Sequence, residues 1–84
     1  MWIRSQRGQF LTDSDYFEVG KFHEQYSVVT LSNRSDISVV LGIYSSEKKV
    51  LKVLDEIQKR TEYLCPKAFQ MPQDDEVEVW QKNI

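Results

Sequence analysis

The stretch Ser45–Leu64, SSEKKVLKVLDEIQKRTEYL, constrains this chain more than any other. Val50, Val53, Leu54, Ile57 and Leu64 recur at spacings of three, four and seven, with Thr61 in one gap and Leu51 at one margin. That is the apolar stripe of a helix with one buried face. Lys48, Lys52, Asp55, Glu56, Lys59 and Arg60 fall on the opposite side, and three opposite-charge pairs stand four residues apart. Ser45 or Ser46 can cap the free N–H groups at the start, Glu47 suits the positive end of the dipole, and Pro66 marks the stop. Burying five such side chains contributes about 1.5–3 kcal/mol each before ordering entropy is subtracted. A lone helix cannot bury its own stripe, so the rest of the chain must supply a sheet.

The preceding residues do read as strands. Trp2–Gln6 alternates large and polar residues, and Arg7-Gly8-Gln9 is a turn. Phe10 and Leu11 resume extended structure, Asp13-Ser14-Asp15 makes a polar turn, and Tyr16–Val19 is a strand broken at Gly20. Glu24–Leu31 and Ile37–Tyr44 are two longer strands joined by the polar loop Ser32–Asp36. Val39, Leu41 and Ile43 share one face of the second, which is expected to meet Leu54 and Ile57. The run VVLGIY is nearly continuous in apolar character, the pattern of a central strand covered on part of both faces, and Gly42 leaves room for a bulky neighbour. After the helix, Phe69 and Met71 alternate in an extended segment toward Pro72.

Length and charge then bound the function classes. Eighty-four residues make one small domain. The net charge is −2, so no overall field attracts nucleic acid or an anionic membrane. One Cys and one His cannot form a disulfide and argue against a structural zinc. No apolar run approaches a membrane span, and the start lacks the apolar core of a signal peptide, so a cytoplasmic protein is expected. Residues 70–84 hold four acidic residues and one Lys, which leaves the remaining chain at +1. The reading places the domain in residues 1–72 and an acidic extension in 73–84.

MWIRSQ at the start, the passage LGIYSSEKKVLKVLDEIQ and the segment Phe69-Gln70-Met71-Pro72 together resemble a group of small proteins encoded by phages and prophages of Gram-positive bacteria. Relatives of that kind carry Ala near the position of Val50, and the extension Val77–Ile84 falls outside their pattern. The resemblance covers most of residues 1–72 and implies a setting, a phage or prophage gene in a bacterial cytoplasm, but no chemistry.

Candidate sites are few. His23 stands beside Glu24, and catalysis would require a nucleophile or acid within hydrogen-bond reach. Cys65 precedes Pro66 and reads as a small apolar residue. Asp13-Ser14-Asp15 opens like a calcium loop, with Glu24 at the twelfth place, but Glu18 stands where the turn needs Gly. Lys48, Lys49 and Lys52 form a basic patch at the start of the helix, the candidate contact for a nucleic acid, diluted by Glu47, Asp55 and Glu56. Val77-Glu78-Val79-Trp80 alternates like a strand and is expected to lie outside the central core, either as a mobile tail or as an added edge strand on the protein's own sheet or on that of a second copy in a homodimer, so Val77, Val79 and Trp80 are the candidate contact residues for a partner.

The expected architecture is α+β: an antiparallel meander of three to four strands with one helix packed on one face. No metal, cofactor or catalytic constellation is expected. The expected function is a protein-binding or regulatory module, with nucleic-acid binding through the start of the helix as the alternative.

Overall fold

The computed structural model describes residues 1–31, 38–62 and 67–77. Its elements are β1 (Trp2–Arg4), β2 (Leu11–Asp13), β3 (Tyr16–Phe22), β4 (Gln25–Leu31), β5 (Ser38–Tyr44), α1 (Glu47–Glu62), β6 (Phe69–Gln70) and a 3-10 turn at Asp74–Glu76. This is a small α+β fold. The strands divide into two three-stranded sheets, with orders β2-β1-β6 and β3-β4-β5.

The second sheet is the expected antiparallel meander, and α1 packs across all three of its strands. Val50, Val53 and Ile57 are buried, while Leu54 is only half-buried at the margin of the stripe. Ser46 caps the helix: its Oγ accepts the Lys49 N–H at 3.3 Å. Tyr26, Val28 and Thr30 of β4 point toward the helix, paired with Tyr44, Gly42 and Val39 of β5. Ile3 from β1, together with Met71 and Val77, completes the core.

β1 pairs antiparallel with β2 and parallel with β6, with Ile3 opposite both Thr12 and Phe69. The start of the chain is thus tied into a sheet, as the alternation at Trp2–Gln6 predicts, but into a separate one. The parallel partner arrives only after the helix has crossed the domain. Buried hydroxyls hold the junction of the two sheets: the Ser14 and Thr30 side chains bond each other, and Thr30 Oγ1 donates to the Tyr16 carbonyl at 2.6 Å.

Four sequence expectations need correction. Gly20 does not break β3, because its missing side chain leaves space filled by Ser27 and Val29: a Cβ there would lie 2.7 Å from Ser27 Oγ and from Val29 Cγ2. β5 is not a central strand; it lies at the edge of its sheet, beside β4. Its register shifts at Val28/Val29, where Val28 faces Gly42 and Val29 faces Val40, so Leu41 is an extra residue. Val39 and Leu41 keep their inward positions, but beyond the bulge the alternation reverses, turning Tyr44 inward and Ile43 outward.

The fourth correction concerns the boundary at residue 72 and the role of Val77. Val77 is 8% exposed and belongs to the core cluster. Asp74 accepts the Ser45 N–H at 2.8 Å and the Ser45 hydroxyl at 3.1 Å, and Lys49 Nζ donates to its backbone carbonyl at 2.8 Å. Gln73 N–H donates to Glu76 Oε1 at 2.8 Å, closing the 3-10 turn. The folded unit therefore continues through Val77, which serves the core instead of a free edge. Val79, Trp80, Cys65, Leu64 and the Ser32–Asp36 loop lie outside the described residues.

Candidate interaction surface

The face of β3-β4-β5 turned away from α1 carries Tyr16 and Glu18 of β3, Ser27, Val29 and Leu31 of β4, and Val40 and Ile43 of β5. Four of these apolar side chains are open to solvent: Tyr16 at 51%, Leu31 at 38%, Val40 at 53% and Ile43 at 45%. The register brings them together. Tyr16 stands opposite Leu31, Val29 opposite Val40, and Ser27 opposite Ile43. Single exposed apolar residues are ordinary, whereas a contiguous group on one side of a sheet is the mark of a contact surface.

The bulge creates the centre of this surface. Val40 and Ile43 are three apart, a spacing that ordinarily puts strand residues on opposite faces. With Leu41 extra, both project outward. They form a ridge between two clefts. One is about 80 Å³, bordered by Gln25, Tyr26 and Ser27. The other, about 260 Å³, lies between β5 and the Ser5–Phe10 turn, with Phe10 and Arg7 on its far wall. That turn is held by the Ser5 N–H donating to the Phe10 carbonyl at 2.7 Å, by the Phe10 N–H donating to Ser5 Oγ at 3.1 Å, and by Gly8, whose φ of 76° lies in the left-handed region open to glycine. The remaining exposed apolar residues are less gathered. On the first sheet, Trp2 and Leu11 share a face with Arg4 and Asp13.

The free edge of β5 is closed by Gln6. Its backbone N–H donates to the Leu41 carbonyl at 2.8 Å, and its side-chain amide pairs with the Ile43 backbone in both directions. On the other margin, the Tyr16 hydroxyl donates to Glu18 Oε2 at 3.0 Å, and that bond to a carboxylate holds the phenol above its usual pKa.

The other sequence candidates among the described residues lie in turns and ion pairs. Asp13 and Asp15 converge on the Met1 amine, with Oδ1 atoms at 2.7 and 3.2 Å, and the Asp13 hydrogen bond is the chief reason the amine titrates higher than usual. Glu24, the remaining member of the suspected calcium set, sits with His23 in the two-residue turn joining β3 to β4. His23 has a φ of 57°, so its position is a backbone requirement of that turn. Among the described residues, no group of three or more potential metal ligands gathers. The basic patch is broken up: Lys49 pairs with Asp74 at 3.4 Å and Lys52 with Glu56 at 3.8 Å, leaving Lys48 exposed beside them. No helix among the described residues is long and apolar enough to cross a membrane.

The chain matches no family model, no curated protein and no solved structure. The functional reading therefore rests on the geometry. The sequence signal for this surface was VVLGIY: for an edge strand it holds more apolar residues than one covered face can use.

Proposed function

We propose that this protein is a small protein-binding module, without catalysis, whose docking surface is the open face of β3-β4-β5. The observation that carries this reading is the ridge of Val40 and Ile43, set between two clefts and continued by Tyr16 and Leu31. Apolar side chains in such a cluster are stable in water only at a cost, and covering them recovers about 25 cal/mol per Å². The groups best suited to chemistry support the same reading: Asp13 and Asp15 hold the amino group, and His23 shapes a hairpin. The setting implied by the resemblance, a phage or prophage gene acting in a bacterial cytoplasm, fits a binder of a host or phage protein.

Site-specific cross-linking tests this. A photoreactive side chain at Val40 is expected to trap one partner in the native cell, and the same group at Leu51, exposed on α1, is expected not to. The double variant Val40→Lys/Ile43→Lys, with crosslinker at Tyr16, is expected to lose the adduct while keeping the wild-type circular dichroism. Equal trapping from Val40 and Leu51, or an adduct indifferent to the double variant, would overturn the reading.

A further inference from the structure

We infer that the outer edge of β3 is a second binding site, which takes an extended segment of alternating apolar and basic residues from a partner as an added strand. It lies on the margin of the sheet opposite the Val40–Ile43 ridge and does not depend on it.

Among the described residues, the first sheet ends in β2 and β6 and the second in β3 and β5. β2 and β6 are only three and two residues long. The edge of β5 is closed by Gln6. β3 has seven residues and no such closure. Its two-residue turn into β4 makes Phe22 and Gln25 a hydrogen-bonded pair, and bonded pairs alternate along an antiparallel ladder. Gly20, Glu18 and Tyr16 therefore bond to β4, whereas the N–H and C=O groups of Phe17, Val19 and Lys21 point away from it. None of these groups has a backbone partner among the described residues. A lysine commonly guards an open edge. Here the Lys21 ammonium is drawn back over the Tyr26 ring of β4, 5.6 Å from its centre.

The space beside this edge suits side chains. Tyr16 and Phe17 border a groove of about 560 Å³, lined from α1 by Leu54, Ile57, Gln58 and Thr61. Leu51 does not line it. Phe17 and Val19 stand on the helix side of β3, opposite Thr30 and Val28, and Val19 is 38% exposed. A strand about 4.8 Å beyond β3 bonds to the outward groups through its own backbone and sends alternate side chains toward the groove, against Phe17 and Leu54. Apolar residues fit those positions. The intervening side chains fall on the other face, beside Tyr16 and Glu18.

Charge selects the occupant. The residues three and four positions from Gln58 along α1 are Leu54, Asp55, Thr61 and Glu62, with no Lys or Arg among them. Asp55 and Glu62 are exposed, and neither forms an ion pair among the described residues. Glu18 adds a carboxylate on the other face of the sheet, next to the edge. The edge is thus negative on both sides, and a segment with Lys or Arg at its outer positions complements it. A second copy does not. An antiparallel pairing of β3 with itself is isologous, so the acids of each α1 flank face their own copies, and a pair centred on Val19 sets the two Glu18 carboxylates diagonally side by side.

The test uses the full chain and a peptide of alternating Val and Lys, matched to the seven residues of β3 and blocked at both ends, followed by amide chemical shifts. Saturable shifts are expected at Phe17, Val19 and Lys21 and at Leu54 and Gln58, and Val40→Lys is expected to leave the affinity unchanged. N-methylation of one alternate set of peptide residues removes the donors that meet β3 and is expected to weaken binding at least about tenfold, while methylation of the other set, which faces water, is expected to be tolerated. This arm leaves the protein untouched. Val19→Pro, which removes an outward N–H and no ladder bond, is expected to weaken binding as well. Glu in place of Lys in the peptide is expected to weaken it at least about threefold at low salt, the scale of exposed ion pairs. A peptide that shifts nothing at millimolar concentration, an affinity indifferent to which set is methylated, or loss of binding in Val40→Lys would overturn the inference. A concentration-dependent dimer that Val19→Pro dissociates would also overturn it, by making a second copy the occupant.

Discussion

Gln6 pairs with Ile43 as a neighbouring strand would: its Nε2 donates to the Ile43 carbonyl at 3.1 Å and its Oε1 accepts the Ile43 N–H at 3.0 Å. One side-chain amide thus replaces a rung of the ladder on the β5 edge, beside the Gln6 N–H bond to the Leu41 carbonyl, and the residues it links are 37 apart in sequence. Edge strands with free backbone groups invite unwanted pairing. Gln6 blunts this edge without covering the apolar face beside it. Gln6→Leu removes both bonds and is expected to cost about 1–2 kcal/mol by urea unfolding and to increase concentration-dependent association. Unchanged stability and unchanged mass by light scattering would show that the edge is protected by something else.

Gly42 and Tyr44 form a second dependent pair. A Cβ on Gly42 would lie 2.9 Å from the Tyr44 hydroxyl and 3.0 Å from its ring, because the buried ring folds back along β5. That hydroxyl donates to the Pro72 carbonyl at 2.7 Å, and burial raises its pKa above the usual phenol value, with the Asp74 and Glu76 charges adding to the effect. Gly42→Ala is expected to destabilise by about 1–3 kcal/mol through this overlap. Pairing it with Tyr44→Phe in a double-mutant cycle is expected to reveal coupling, since both changes act on the same ring and its bond to Pro72. Additive effects would sink the account.

Stability is expected to fall at both ends of the pH scale, for two named reasons. Asp74 is held below its ordinary pKa of 3.8, chiefly by the Ser45 N–H. A lowered carboxylate stabilises the folded state above that ordinary value and loses the contribution as pH falls through its folded pKa. The Met1 amine is held above its ordinary 8.0, chiefly by Asp13, so its contribution is complete below 8.0 and is lost as pH rises through the higher folded value. Urea midpoints measured against pH are expected to drop less steeply on the acid side in Asp74→Asn and on the alkaline side in Asp13→Asn. Parallel profiles in wild type and variants would refute these assignments.

Core positions separate the helix residues by depth. Ile57→Ala is expected to cost about 2–5 kcal/mol, and Leu54→Ala less, because Leu54 is only partly buried and borders the groove beside Phe17. Val77→Asp is expected to destabilise by several kcal/mol, the scale of an unpaired charge in a core. Thermal melts order the three variants, and a Val77→Asp protein as stable as wild type would free the segment after Pro72 from the core.

The sequence by itself determined what local chemistry can carry. The period of Val50, Val53 and Ile57 specified α1 and its buried side, Ser46 specified its start, and the alternation in Gln25–Leu31 and around Phe69 and Met71 specified extended structure with an inner face. Each signal lies within a few residues of what it describes. Only the tertiary structure decided the rest: that β1 takes β6 as a parallel partner across the helix, that Leu41 is one residue too many opposite β4, that Gln6 seals the β5 edge, and that Val77 returns to the core. These depend on register and closure between distant segments, and a one-residue shift in register reverses every side chain beyond it. That is why Val40 and Ile43, which no local period places together, share the exposed face on which the proposed function rests.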